Sequence, residues 1–224
     1  APFASRTYTN DGAPRDLQRI LVLASYDAQN DAYAIALQRM GLGHTLVTSW
    51  TDFSAELDDE GPWDLLIVNN YSSPSVPPCL ASLVAHLEAG RRLIYADWAV
   101  QYYASHPLLA HLGVTYQSTI TTPLDFQAID PQHGCFQWPN QISALHWNLN
   151  QFTRDGQIVS ARSGASRLAA FQNHPESGAI VVSATGRAIF NAFQAANFTA
   201  DDDGDWLRDV VELAENEITL IGLD

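Results

Sequence analysis

The stretch RRLIYADWAVQYY, residues 91–103, decides the fold of this chain. A short apolar run, residues 93–95, follows two arginines, and Asp97 and Trp98 come at the point where a strand would give way to a helix. In an open α/β sheet, ligands and reactive groups collect in the crevice beyond the carboxyl ends of the strands. We therefore expect Asp97 to lie where this chain would bind a ligand or carry out chemistry.

The first 113 residues alternate between short apolar runs and amphipathic segments. Bounded apolar runs are typical of buried parallel strands, and apolar residues at helical spacing predict the helices between them. The predicted strands are 19–25, 44–50, 63–69 and the opening stretch, and the predicted helices are 29–42, 52–59 and 79–88. This alternation predicts βαβ units, and hence a three-layer α/β fold with a mostly parallel central sheet and helices on both faces.

Beyond Gly113 the chain is richer in Thr, Gln, Asn and Pro, and its predicted strands are shorter. These strands are 114–120, 124–129, 157–161 and 167–172. Two further runs, 179–183 and 187–193, flank Gly186 and predict a late β-hairpin, and residues 203–217 predict a C-terminal helix. We expect a single domain over residues 19–224, preceded by an N-terminal arm of residues 1–18 that contains turn residues.

The composition excludes several classes of function. The chain of 224 residues has a formal net charge of -14, and all 11 basic residues are arginine. This charge would repel phosphate backbones and anionic lipids, so we predict no binding to nucleic acid or membrane. No apolar run is long enough to span a bilayer. The lack of lysine excludes Schiff-base and lysine-base mechanisms.

The two cysteines, Cys79 and Cys135, form no CxxC spacing. We predict a disulfide between them, because the polar start of the chain resembles a mature end left after removal of a signal peptide. This interpretation favours an extracellular or periplasmic location. The alternative is a cytoplasmic protein with two buried thiols.

We predict neither a metal site nor a bound cofactor. The acidic run DDDGD, residues 201–205, resembles a calcium loop, but we assign it no bidentate glutamate in the required register. Acidic residues at the start of a helix also cap free N–H groups and favour the helix dipole. The histidines have no metal-binding spacing. The first strand-to-helix loop, residues 25–31, lacks the Ser, Thr and Gly that cradle a cofactor phosphate.

Several segments together resemble the class I glutamine amidotransferase-like superfamily. They are WDLLIVNN (63–70), a Pro-rich loop, LASLVAHLEAGRRLIYAD (80–97), LLAHLGV (108–114) and GAIVVSATGRAIFNAF (178–193), followed by a terminal helix. The resemblance is strongest to branches without amidotransferase activity, such as trehalose-utilisation-type proteins and domains of bacterial secreted proteins. It covers roughly residues 19–220 and implies a flavodoxin-like fold.

The resemblance does not extend to the catalytic residues of the superfamily. Members that hydrolyse glutamine carry a cysteine in a G-x-C-x-G turn after the fourth strand, and residues 95–99 (YADWA) stand there instead. Asp97 replaces the nucleophile, and both glycines are absent. The His-x-Glu pair of the family has no counterpart after Phe193. Glutaminase activity is therefore not expected.

Two hypotheses about function remain open. The first is a non-catalytic domain whose crevice at the strand ends binds a small polar molecule or a neighbouring protein domain. The predicted ligand-binding residues are Asp97, Trp98, Tyr26, Asn70 and Tyr102. The alternative is a hydrolase in which Asp97 acts as nucleophile or general base, with His146 or His174 as its partner. The two differ in whether a histidine reaches Asp97.

Overall fold

The computed structural model describes residues 17–59, 61–71, 75–120, 125–142, 144–146 and 156–222. The predicted N-terminal arm lies outside these residues except for its last two positions. Leu17, one of these two, is buried and packs into the hydrophobic core.

The strands and helices alternate through the first half of the chain. The strands are β1 (Ile20–Ala24), β2 (Thr45–Val47), β3 (Leu65–Asn70), β4 (Arg92–Asp97), β5 (Val114–Ile120), β6 (Phe126–Ala128), β7 (Ala144–Leu145), β8 (Gly156–Ala161), β9 (Ser166–Phe171), β10 (His174–Val182) and β11 (Ala188–Asn191). The helices are α1 (Ala32–Arg39), α2 (Trp50–Asp59), α3 (Leu80–Glu88), α4 (Pro107–His111) and α5 (Asp209–Gly222), with 3₁₀ helices at Val100–Tyr103, Gly134–Phe136 and Ala195–Asn197. None of the described helices is both long and apolar enough to cross a membrane.

The main sheet has nine strands in the order β2-β1-β3-β4-β11-β10-β9-β6-β7. The first five run parallel to one another, and the remaining four extend the sheet in antiparallel fashion. Strands β5 and β8 pair separately as a two-stranded ladder. The hairpin β10–β11 turns at Gly186, whose φ of 71° favours glycine. The predicted α/β fold, with its parallel strands, late hairpin and C-terminal helix, is confirmed.

The parallel half of the sheet is buried on both faces. Every residue of β1 and β3 is buried, as expected for strands covered by helices on each side. Right-handed crossovers place α1 on one face and α2 and α3 on the other. Helix α1 packs against α5, and α3 packs against α4. The carboxyl ends of β1, β3 and β4 are thus held at one rigid edge between two helical layers.

Helix α5 begins at Asp209 rather than at about residue 203 as predicted. The reason is the preceding acidic run, whose side chains bind the backbone. Asp201 accepts hydrogen bonds from the N–H groups of Gly204, Asp205 and Trp206. These bonds close the chain into a loop and compete with the helical hydrogen-bond pattern.

The predicted disulfide is wrong, since Cys79 and Cys135 are both free and buried. Cys79 precedes α3 on one face of the sheet. Cys135 lies in a 3₁₀ helix that packs against α5 on the opposite face, where Asn216 Nδ2 donates to the Cys135 carbonyl at 3.0 Å. The sheet therefore separates the two thiols, and an even cysteine count did not indicate proximity.

Candidate functional site

The strand order reverses between β1 and β3, because β1 leads to β2 on one side and β3 leads to β4 on the other. Ligands of open α/β sheets bind in the crevice outside such a switch point. A cavity of about 440 Å³ lies at this place, within the usual range for small-molecule sites. We call it the switch-point crevice. Its polar lining includes Tyr26, Asp27, Asp31, Asn69, Tyr71 and Arg208.

A chain of buried hydrogen bonds forms the floor of the switch-point crevice. Asp31 caps α1 by accepting the N–H groups of Tyr33 and Ala34, each at 3.0 Å. Its second oxygen accepts from Asn69 Nδ2 at 2.5 Å, and the Tyr71 hydroxyl donates to Asn69 Oδ1. Burial raises the pKa of Asp31 despite these donors. The floor is therefore preorganised, with each side chain fixed by the next.

Opposite charges stand at the rim of the crevice. Arg208, in the loop before α5, donates from Nη2 to the Asn30 carbonyl at 2.7 Å. Asp27 accepts from Asn30 Nδ2 at 2.6 Å, and this bond is the main reason why the pKa of Asp27 is lowered. The rim of the crevice thus carries an ionised carboxylate and a guanidinium.

Asp97 lies on the opposite face of the sheet, in a sealed group with Asn70, Tyr95 and Tyr103. We call these four residues the inner cluster. Asp97 Oδ1 accepts from Asn70 Nδ2 and from the Ala99 N–H, both at 2.8 Å. Asp97 Oδ2 accepts from the hydroxyl groups of Tyr103 and, at 3.2 Å, Tyr95. The carboxylate is only 2% exposed, and burial raises its pKa.

Neither histidine proposed as a partner bonds to Asp97. His146 lies 3.6 Å from both Asp125 and Asp202, and His174 lies 3.4 Å from Glu176. Within the described part of the chain, the hydrogen bonds of Asp97 come from amide, hydroxyl and backbone groups alone. Among the described residues, the two histidines named in the hydrolase alternative therefore bind other carboxylates.

The structure places the five predicted ligand-binding residues in different surroundings. Asp97 and Asn70 meet in the inner cluster, and Trp98 is half-buried, with its carbonyl accepting from Gln157 Nε2 at 3.1 Å. Tyr102 is 56% exposed. Tyr26, 51% exposed, is the one of the five that lines the switch-point crevice.

Five residues of the crevice lining were not predicted from the sequence: Asp27, Asp31, Asn69, Tyr71 and Arg208. A signal for Asn69 was present, because consecutive residues at a strand end point to opposite faces of the sheet. If Asn70 faces Asp97, Asn69 has to face the other helical layer. The placement of Arg208 has no comparable local signal, since it depends on where the loop before α5 packs.

Comparison with known proteins shows similarity of structure without similarity of sequence. No protein-family model matches the chain, and no curated protein matches its sequence. A protein from Thermoplasma acidophilum named as a GMP synthase subunit superimposes with a TM-score of 0.57 at 13% identity, covering 92% of this chain and 94% of that one.

Two further structures give the same result. A protein from Salmonella typhimurium named as a cytoplasmic protein has a TM-score of 0.61 at 12% identity, covering 90% of this chain and 98% of that one. A glutamine amidotransferase from Thermotoga maritima has a TM-score of 0.53 at 10% identity, covering 80% of this chain and 76% of that one. At these identities the likeness concerns architecture, and the chain has an amidotransferase-like fold.

Proposed function

We propose that this chain is a non-catalytic amidotransferase-like domain that binds a small polar ligand in the switch-point crevice. The observation that carries the proposal is the contrast between adjacent asparagines. Asn70 holds Asp97 in a sealed cluster, whereas Asn69 belongs to the floor of an open cavity of about 440 Å³. The Asp97 carboxylate accepts hydrogen bonds from four groups, and the residue is 2% exposed. We therefore assign it a structural role rather than that of a nucleophile.

Neither Cys79 nor Cys135 replaces the cysteine nucleophile that the chain lacks after β4. Burial raises the pKa of Cys79 to about 12 and raises that of Cys135 well above its ordinary value. A nucleophilic cysteine reacts as the thiolate, and the thiolate is populated at neutral pH only when the pKa of the thiol is lowered. Both cysteines therefore behave as buried apolar residues, in keeping with a domain that binds without cleaving.

The crevice fits a neutral or zwitterionic molecule with both donors and acceptors. Arg208 can receive a carboxylate or carbonyl oxygen, and Asp27 can receive an ammonium or hydroxyl group. Tyr26 adds an exposed ring that can cover an apolar part of the ligand. The two carboxylates, Asp27 and Asp31, disfavour a ligand that carries only negative charge.

Binding is tested by ligand-observed NMR and thermal shift with L-glutamine, other amino acids, monosaccharides and inorganic phosphate. We expect saturable binding of an amino acid or a monosaccharide, and none of phosphate. Tyr26→Ala should weaken binding roughly tenfold, the effect of about 1.4 kcal/mol for a lost aromatic contact. Tyr102→Ala is the matched control, because Tyr102 is a similarly exposed tyrosine outside the crevice lining.

Either of two results would contradict this function. One is the absence of saturable binding across the whole panel. The other is equal weakening by Tyr26→Ala and Tyr102→Ala, which would place binding elsewhere on the surface. Hydrolysis of an ester, amide or glycoside that disappears in a stable Asp97→Asn variant would instead support the hydrolase alternative.

The free thiols also bear on location. The expectation of an extracellular or periplasmic protein rested partly on a disulfide that does not form. Reduced cysteines fit the cytoplasmic alternative, and the Salmonella neighbour is itself named as a cytoplasmic protein. Alkylation of the chain isolated from its native host under non-reducing denaturation tests this: two modified thiols are expected.

A further inference from the structure

The acidic loop before α5 has a geometry that the proposed function does not use. Asp201, Asp203 and Asp205 each direct a carboxylate oxygen to one place, and the three oxygens lie within 4.8 Å of one another. Like charges at this separation repel unless a cation or protons compensate. The chain has no lysine, and no described arginine forms a salt bridge with these three residues.

The backbone of the loop holds these carboxylates in place. Asp201 accepts from the N–H groups of Gly204, at 2.8 Å, and Trp206, at 2.9 Å. Asp203 and Asp205 each accept from the N–H two residues further along, at 3.1 and 2.8 Å. Trp206 adopts a φ of 73°, a left-handed conformation that non-glycine residues rarely take. The turn is therefore sharp, and it folds the loop around its own acidic side chains.

A second, independent feature is the carboxylate of Asp209. The residue is 5% exposed, and its Oδ2 is buried without a hydrogen-bond partner among the described residues. Its Oδ1 accepts from the Asp202 N–H at 3.1 Å, which turns the carboxylate toward the loop. A buried, unpartnered carboxylate oxygen is costly unless a cation or donor satisfies it.

Glu212, in the first turn of α5, is a further acidic residue of this segment and is 4% exposed. Buried acidic residues are almost always paired with a cation or donor. Three converging carboxylates are thus followed in the same segment by two buried acidic residues, Asp209 and Glu212.

The spacing of these residues identifies the cation. Calcium loops of the EF-hand type place ligands at positions 1, 3, 5, 7, 9 and 12, with a backbone carbonyl at 7, a bidentate glutamate at 12 and a sharp turn at 6. Counted from Asp201, the ligand positions fall on Asp201, Asp203, Asp205, the Leu207 carbonyl, Asp209 and Glu212. Position 6 is Trp206, whose positive φ supplies the turn that glycine usually makes.

We propose that residues 201–212 form a calcium-binding loop. Glu212 stands eleven residues after Asp201, in the register of the bidentate glutamate, so the expectation that the acidic run lacks this glutamate was wrong. With α5 starting at Asp209, residues 201–208 form the loop, and Glu212 in the first helical turn would complete the set of ligands. An oxygen-rich, strongly anionic set of this kind suits Ca²⁺ better than a transition metal.

The test is calorimetric titration of the chelator-treated full chain with CaCl₂, with melting curves in parallel. We expect a Kd for Ca²⁺ between about 10⁻⁷ and 10⁻³ M and a Tm about 5–10 °C higher at a hundredfold excess over Kd. Asp203→Asn should weaken Ca²⁺ binding at least tenfold while keeping the fold, because an asparagine oxygen can still accept the Asp205 N–H. Glu212→Gln should weaken it similarly.

Asp59→Asn is the matched control, since Asp59 is an exposed acid at the end of α2. It should leave both Kd and the Ca²⁺-dependent rise in Tm unchanged. Three results would each overturn the calcium site: no Ca²⁺-dependent heat or stabilisation at 10 mM, equal binding of Mg²⁺ and Ca²⁺, or equal Ca²⁺ affinity in Asp203→Asn and Asp59→Asn. Ligand binding in the crevice is measured in chelator, so failure of either proposal leaves the other separately testable.

Discussion

Asn69 and Asn70 are neighbours in β3, yet they belong to two different polar regions. Asn69 points to the face covered by α1 and α5 and forms the floor of the switch-point crevice with Asp31 and Tyr71. Asn70 points to the face covered by α2 and α3 and binds Asp97 in the inner cluster. One residue step along a strand separates an open site from a sealed one, because side chains alternate between the faces.

The difference between the two regions lies in how their carboxylates are satisfied. Asp97 accepts hydrogen bonds from Asn70, Tyr95, Tyr103 and a backbone N–H, and it is 2% exposed. Asp31 is equally buried, but its network ends at Tyr71 and Asn69, which line a cavity. Polar residues at a strand end therefore do not identify a site by themselves. A site requires that the polar network opens on a cavity.

The largest expected effect comes from removing the Asp97 carboxylate. Asp97→Ala leaves the buried donors of Asn70, Ala99 and at least one of the two tyrosines without their acceptor, so we expect the free energy of unfolding to fall by about 3 kcal/mol. Asp97→Asn keeps one acceptor oxygen and removes a buried charge, so its cost should stay within about 1 kcal/mol. Urea unfolding of both variants measures the difference. Equal stability of the Ala variant and the wild type would show that the inner cluster is not what seals this face.

Asp27→Ala provides the corresponding change at the crevice. Asp27 makes its hydrogen bonds to Asn30 at the protein surface, where water can replace them. We expect a loss of at most about 0.5 kcal/mol in the free energy of unfolding. A loss as large as that of Asp97→Ala would remove the contrast between the open and the sealed region.

The second prediction uses pH to distinguish the two faces. On the face of α1 and α5, burial raises the pKa of Glu217 to about 7, although Tyr33 and Asn191 donate to it at 2.7 and 3.0 Å. Its unfolded pKa is near 4.5, so between these two values the native state binds a proton that the unfolded state has lost. Stability from this group is therefore complete below pH 4.5 and falls as pH rises through 7, by at most about 1.4 kcal/mol per pH unit.

Glu217→Gln should flatten this slope, because glutamine keeps the acceptor oxygen but does not titrate. Glu56→Gln, a change at a more exposed helical glutamate, is the control and should leave the slope as it is. Unfolding free energies at pH 5, 6, 7 and 8 are measured in EDTA to keep metal away from the acidic loop. Burial also raises the pKa of Glu212 to about 7, so Glu217→Gln should remove only part of the slope. Stability that rises from pH 5 to 7 in the wild type would contradict the assigned direction.

Much of the fold was accessible from the sequence, and the reason is periodicity. The short apolar runs at β1, β3 and β4 are typical of buried strands and were predicted as such. Gly186 predicted the hairpin turn. The site was less accessible, because Asp97 and Asp31 carry equal local signals as polar residues next to a strand or helix end. Their exposure depends on the side chains that pack around them from distant segments.

The cysteine pairing and the helix boundary failed for a related reason. Both depended on geometry that the local pattern does not encode. Cys79 and Cys135 are kept apart by the sheet, and the acidic residues before α5 bind their own backbone rather than extending the helix. The calcium register, by contrast, is readable from the sequence alone, since Glu212 stands eleven residues after Asp201.

The sharpest comparison comes from removing one hydroxyl in each region. The Tyr71 hydroxyl accepts from the Ala195 N–H at 2.8 Å and donates to Asn69, but it borders the crevice. Water entering the crevice can satisfy the groups left behind, so Tyr71→Phe should cost about 1 kcal/mol in the free energy of unfolding. The Tyr103 hydroxyl lies in the inner cluster, where it binds both Asp97 and, at 2.7 Å, Tyr95.

Tyr103→Phe should cost about 2 kcal/mol, because water has no access to the groups that lose their partner. The two substitutions remove the same atom from the same residue type, so the difference between their costs measures how far each region is open to solvent. If both variants lose the same free energy of unfolding, water reaches Asp97 as readily as it reaches Asn69. The crevice would then not be more open to solvent than the inner cluster. A higher cost for Tyr71→Phe would reverse the assignment, since the network under the crevice would be the sealed one.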